Sequence, residues 1–213
     1  TGSGKTEVYL RLIERMLAAG RQVLLLVPEI NLTPQLEGRV RARFPGSVVV
    51  SLHSELAEAA RERNWRAAFA GEAAIVLGTR LAIFTPMPCL GLIVVDEEHD
   101  ASFKQQDGMR YSARDVAVFR AHQLRIPVLL GSATPSLESW ANAQGRRYGL
   151  LTLSERANPE ATLPAVQLVD TRKMKVADGV SEPLLAAIRT RLERGEQSLI
   201  FLNRRGYAPV LAC

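Results

Sequence analysis

Apolar residues in this chain fall into short unbroken runs, separated by stretches in which they recur every three or four positions. Gln22 to Val27 reads QVLLLV and closes on Pro28, and similar runs recur at Val48 to Leu52, Ala73 to Leu77, Leu92 to Val95 and Val128 to Leu130. A run that is apolar throughout, instead of at alternate positions, is what a strand covered on both faces requires. Between the runs the period lengthens. Val8, Leu12 and Met16, with Tyr9, Ile13 and Leu17 beside them, repeat at four-residue spacing and stop at Gly20, which predicts an amphipathic first helix. Further helices are predicted near Thr33 to Phe44, Glu55 to Ala70 and Ala113 to Leu124, with Trp65 and Phe69, four apart, expected in the core. Strand alternating with helix predicts an α/β fold: a parallel sheet with right-handed crossovers, helices on both faces, and working loops at the carboxyl ends of the strands.

The pattern weakens after about Gly149. Asn158-Pro159, Pro164 and Asp178-Gly179 punctuate a stretch with little periodicity, so residues 151–180 are expected to link a first lobe, 1–150, to the start of a second, 181–213. In the second, Ser181 is placed to cap a helix with Pro183 in its first turn, Leu184, Leu185, Ile188 and Leu192 on one face and Gly195 at its end, followed by a strand from Ser198 to Leu202.

Composition narrows the class. Hydrophobic residues make up 47% and charged residues 23%, the balance of a soluble globular protein. No apolar run approaches the roughly 18 to 20 residues that span a bilayer, and no signal peptide opens the chain, so the cytoplasm is the expected compartment and no membrane partner is expected. Two cysteines, Cys89 and Cys213, make no disulfide framework, and Cys89 reads as a small buried hydrophobe. His53 and His122 lack metal-ligand spacing and read as structural or surface residues. The net charge is +5, with all but four of the 27 basic residues arginine, which permits nucleic-acid binding without demonstrating it.

Chemistry enters at the first residues. Thr1 to Thr6 reads TGSGKT, the end of a phosphate-binding loop GxxxxGK[ST] whose first glycine would lie two places before Thr1, so the chain is expected to be a piece of a longer protein, cut inside that loop. Gly2, Ser3 and Gly4 would turn backbone N–H groups toward phosphate oxygens, Lys5 would reach the β and γ phosphates, and Thr6 would hold Mg²⁺. The second half of the site is the run Leu92 to Val95, which ends abruptly in Asp96-Glu97-Glu98-His99. Asp96 at the strand tip is placed for the Mg²⁺ shell and Glu97 to orient and deprotonate the attacking water; three adjacent acids have no evident use in packing. Together the two motifs predict ATP hydrolysis.

Three further segments sit at strand ends: Val27-Pro28-Glu29, Gly78-Thr79-Arg80 and Gly131-Ser132-Ala133-Thr134-Pro135. The order TGSGKT, VPEI, GTR, DEEH, GSAT resembles the motor motifs of superfamily 2 helicases. Within these, DEEHDASFKQQDGMRYSARDVA and SLIFLNRRGYAPVLAC resemble the PriA family of replication-restart DNA helicases, over essentially all 213 residues. One departure is Ser112, where the family pattern leads one to expect histidine. The resemblance implies a RecA-like first lobe and the start of a second, 3′ to 5′ DNA unwinding driven by ATP and Mg²⁺, primosome assembly, and forked and single-stranded DNA, primosome proteins and single-strand-binding proteins as partners. It implies that Ser132 and Thr134 sense the γ-phosphate. It also implies zinc sites in the full-length protein, of which Cys213 would be one incomplete ligand.

The stretch Phe103, Lys104, Arg110 and Tyr111 mixes aromatic and basic side chains directly after the acids. Bases can stack on Phe103 or Tyr111 while Lys104 and Arg110 meet phosphates; the competing reading is that the rings pack this loop onto the lobe. Thr79, Arg80, Arg204 and Arg205 complete the expected DNA-facing set, with a solvated loop as the alternative for the last two. The alternative for the whole is a motor-like piece that binds DNA or partners without hydrolysis, and negligible ATPase is expected from the 213 residues alone.

Overall fold

The computed structural model describes residues 4–28, 34–155, 164–174, 176–177 and 180–201. Five strands, β1 (Gln22–Leu26), β2 (Val49–Leu52), β3 (Ile75–Gly78), β4 (Leu90–Asp96) and β7 (Val128–Gly131), form one sheet in the order β2-β3-β1-β4-β7. Every pairing is parallel, with Leu25 level with Leu77 on one side and Val94 on the other, and Asp96 level with Gly131. The α/β expectation therefore holds, and the five apolar runs are the five strands.

The reason the runs are continuous is visible in how successive residues divide. Val23, Leu25, Leu92 and Val94 point to one face, where α1 (Lys5–Ala18) supplies Tyr9, Leu10 and Ile13, and Val40 of α2 (Pro34–Arg43) is joined by Phe44. Leu24, Leu26, Ile93 and Val95 point to the other. There α3 (Glu58–Phe69) contributes Ala68, and α4 (Ala113–Leu124) contributes Ala113, Ala117 and Ala121, small residues four apart on the buried face. Period-two alternation across a sheet with two covered faces leaves polar side chains only at the ends of the central strands, at Gln22 and Asp96.

Several expectations are corrected. Trp65 and Phe69 are not core: they stack on each other, centroids 5.6 Å apart, on the exposed side of α3. Cys89 is exposed. A helix α5 (Leu137–Gln144) follows β7 where none was expected; it buries none of its residues, and its apolar positions at helical spacing, Leu137, Trp140 and Ala141, span barely one turn. The run Ser198 to Phe201 forms no strand, since apolar residues make a strand only where a neighbour supplies the ladder; Leu202 lies outside the described residues.

Backbone contacts divide the chain into two compact units, Thr1–Ala161 and Thr162–Cys213. Within the second, β8 (Val176–Ala177) pairs antiparallel with β9 (Val180–Ser181), and α6 (Glu182–Glu193) starts after Ser181 with proline in its first turn. Ser181 holds the cap position, but its side chain makes no capping bond. No helix among the described residues is long and apolar enough to cross a membrane.

Candidate nucleotide and nucleic-acid site

The described strand-end motif residues lie along one edge of the sheet because parallel strands share their carboxyl ends, and Glu29 lies outside the described residues. Gly4 precedes α1 in the left-handed region, φ +86°, which lets the chain turn sharply into the helix and leaves the first-turn amides facing out of it. Gly2 and Ser3 lie outside the described residues. Lys5 and Glu97, 92 positions apart in sequence, meet: Nζ donates to Oε1 at 2.7 Å, with both side chains about four-fifths buried. Glu97 is one of three described non-glycine residues at positive φ, +48°, a conformation that costs backbone energy and turns the chain immediately after the strand.

Asp96 is held by two donors on a single oxygen. The Tyr9 hydroxyl donates to Oδ1 at 2.9 Å and the Glu97 amide donates to the same atom at 3.0 Å; Oδ2 has no hydrogen-bond partner among the described residues. Burial pushes the Tyr9 phenol far above its usual range, and the neighbouring Asp96 and Glu97 carboxylates add to this, so it stays a neutral donor. One free carboxylate oxygen on Asp96 and the Thr6 hydroxyl are the donors magnesium takes when phosphates and water complete its shell, so the residues present fit a nucleotide-bound Mg²⁺.

The third acid does something else. Glu98 is 3% exposed, and its carboxylate accepts from the Ser136 amide (2.7 Å), the Ser136 and Ser139 hydroxyls (3.0 and 2.9 Å) and Arg114 Nη1 (3.3 Å). It ties the acidic turn to the start of α5 and to α4, so the expectation that three adjacent acids have no packing use fails at this residue. Arg114 is itself buried; burial lowers the proton affinity of its guanidinium, and hydrogen bonds and charge from Asp115 and Glu98 more than reverse that. His99, next along, bridges to the GSAT loop. Its Nδ1 lies 2.7 Å from Ser132 Oγ and 3.6 Å from Glu97 Oε2, and its Nε2 lies 3.4 Å from Thr134 Oγ1. The Thr134 amide donates to Ser132 Oγ at 3.0 Å, closing the loop on itself. Ser132 and Thr134 thus reach Glu97 through His99, whose role no sequence spacing announces.

The expected DNA-facing residues separate. Phe103 is 1% exposed and part of the core, because its apolar ring gains more from that cluster than from water; it cannot stack a base from there. Thr79 is also buried. Arg80 does not extend into solvent: Nη1 donates to the carbonyls of Ser102 (3.1 Å) and Lys104 (3.2 Å), clasping the residues on either side of Phe103. Lys104 and Arg110 are exposed. Tyr111 is half-buried, and Phe84, not singled out from sequence, meets it edge-on at 5.0 Å with half of its own surface exposed. The hairpin carrying Lys104, Arg110 and Tyr111 pairs β5 (Lys104–Gln105) with β6 (Tyr111–Ser112) and turns at Gly108, φ +68°. Ser112, the departure noted above, accepts from the Asp115 amide and so caps α4. Arg204, Arg205 and Cys213 lie outside the described residues.

A lysine at the start of a helix, paired with a strand-end glutamate and linked through histidine to a second strand end, is the arrangement expected of a helicase motor. The model of the family described as DEAD/DEAH box helicase matches residues 1–143. The chain belongs to the DEAD/DEAH box helicase family. Beyond this family match, the chain is similar over its whole length to the replication restart protein PriA of Haemophilus influenzae, 52% identical over 213 residues and covering 29% of that protein. It is 45% identical to the PriA of Bacillus subtilis, covering 27% of it, and 48% identical to that of Chlamydia pneumoniae, covering 29%. The chain thus spans about three-tenths of the length of these curated relatives.

Proposed function

We propose that this chain is the ATP-binding lobe, residues 1–150, a linker, 151–180, and the start of the second lobe, 181–213, of a cytoplasmic bacterial DNA translocase for replication restart and primosome assembly. It moves 3′ to 5′ and couples ATP hydrolysis to single-stranded DNA. The observation that carries this reading is the 2.7 Å pair between Lys5 and Glu97, which brings the phosphate loop and the acidic strand end into one site. Similarity of the whole chain to part of the replication restart proteins supports the biological setting.

In this reading the amides around Gly4 and the Lys5 ammonium receive the terminal phosphates, and in doing so Lys5 gives up Glu97. Glu97, released, accepts a proton from the attacking water, and its left-handed backbone aims the carboxylate off the strand end. Magnesium, when bound with the nucleotide, offsets phosphate charge, and Thr6 and Asp96 are the residues that would hold it. His99 carries the state of Glu97 to Ser132 and Thr134. Lys104, Arg110, Tyr111 and the second-lobe Arg204 and Arg205 meet DNA, with Phe84 in the place expected for Phe103. Primosome and single-strand-binding proteins are the partners. Zinc belongs to the full-length protein at a site including Cys213; among the described residues no cluster of His, Cys, Asp or Glu is arranged to hold a metal.

In the full-length protein, Lys5→Ala and Glu97→Gln are expected each to abolish DNA-stimulated ATP hydrolysis, measured as phosphate release. Full turnover by either variant rejects the reading.

A further inference from the structure

The hydrogen bond from Tyr9 to Asp96 links the helix that follows the phosphate loop to the strand that carries the acids, and no motif accounts for it. Tyr9 is 4% exposed, on the face of α1 that packs against the sheet. Its ring ends beside Gly131, at the tip of β7: a Cβ there would run into the hydroxyl and lie 2.8 Å from Cζ. The GSAT motif therefore begins with glycine where the phenol needs the space. The hydroxyl stands where three segments converge, the start of α1, the end of β4 and the end of β7, whose Asp96 and Gly131 are level across the sheet.

Without a fixed donor, a carboxylate at a strand tip turns about its terminal torsion and presents either oxygen. Here Oδ1 receives both Tyr9 and the Glu97 amide, so the carboxylate plane is set and Oδ2 is the oxygen left without a partner among the described residues. We propose that Tyr9 is a positioning residue for the magnesium-nucleotide complex: it holds Asp96 so that one oxygen, Oδ2, faces the metal. The inference rests on the nucleotide reading of this site. It predicts an effect on magnesium-dependent binding and not on the phosphate loop's own grip.

The test is Tyr9→Phe in the full-length protein, which keeps the ring beside Gly131 and removes only the donor. Binding of mant-ATP is followed by fluorescence in EDTA and across a magnesium titration. The variant is expected to match wild type in EDTA and to need about fivefold more magnesium for half-maximal tight binding, the scale of one hydrogen bond. The same change on an Asp96→Asn background is expected to add nothing, since the two residues act as one unit. A wild-type magnesium midpoint in Tyr9→Phe, or an equal added shift on the Asp96→Asn background, overturns the proposal. Thermal melts check that the variant folds. If it does not, 3-fluorotyrosine at position 9, a stronger donor of nearly the same shape, is expected to keep or lower the midpoint, and a raised one overturns the proposal. If wild type itself fails to bind mant-ATP, the nucleotide reading falls instead, so the two failures are distinct.

Discussion

Glu97 and Glu98 are adjacent, identical in side chain and opposite in use. Glu97 is part-exposed and faces Lys5 and His99, while Glu98 is buried among three hydrogen-bonding residues drawn from α4 and the start of α5. Removing one side of a buried ion pair leaves the other charge stranded, so Glu98→Ala is expected to cost about 3–5 kcal/mol in urea unfolding. Glu97→Gln, which keeps an amide oxygen to accept from Lys5, is expected to cost less than Glu98→Ala in the same measurement. Equal destabilisation by the two would contradict this division of labour. The sequence could locate the three acids and single out the first two by their place at a strand tip. It could not show that the third turns inward, because its partners, Arg114, Ser136 and Ser139, lie 16 to 41 positions away. Tyr9 was legible as an apolar-face residue of a helix, and its hydroxyl's role became visible only when β4 was placed beneath it.

At the scale of elements, legibility follows burial. The five sheet strands are readable because two covered faces force continuous apolar runs, and α4 is read to its observed limits, Ala113–Leu124, between a capping serine and a left-handed Arg125. The β5–β6 hairpin has two residues a side and α5 only eight residues in all, too few for either to show a sustained period. The hairpin also decides which aromatic does what. Phe103→Ala is expected to cost about 3–5 kcal/mol in stability through the cavity it leaves. Phe84→Ala is expected to leave stability nearly unchanged and to weaken single-stranded DNA binding by about 1–3 kcal/mol, the worth of one stacked base. Fluorescence anisotropy with a labelled oligonucleotide, alongside thermal melts, separates the two, and undiminished DNA affinity in Phe84→Ala would remove that ring from the interface.

For the first unit as a whole, ties across its layers set the response to pH. Glu37 of α2 accepts from Ser51 of β2 at 2.7 Å and from Arg41 at 2.6 Å. Burial pushes its carboxyl up, and these hydrogen bonds, with the charges of Arg41 and His53, more than offset that and hold it below its usual 4.5. A lowered folded-state value means that the unfolded chain takes up the proton first. The contribution to stability is present above pH 4.5 and is lost as pH falls through the folded value. Glu37→Gln is therefore expected to lower the melting temperature near neutral pH and to converge on wild type in acid. A gap that stays constant down to about pH 3 would exclude this source. The fold class and the sheet edge bearing the motifs were readable because every parallel strand delivers its carboxyl end to the same side. The clasp of Arg80 around Phe103 was not, since an arginine's partners are two backbone carbonyls that no side-chain pattern announces. That clasp joins a residue just past the carboxyl end of β3 to the first residue of β5, so a displacement of the hairpin is carried by one side chain into the sheet that also holds the acid-bearing β4.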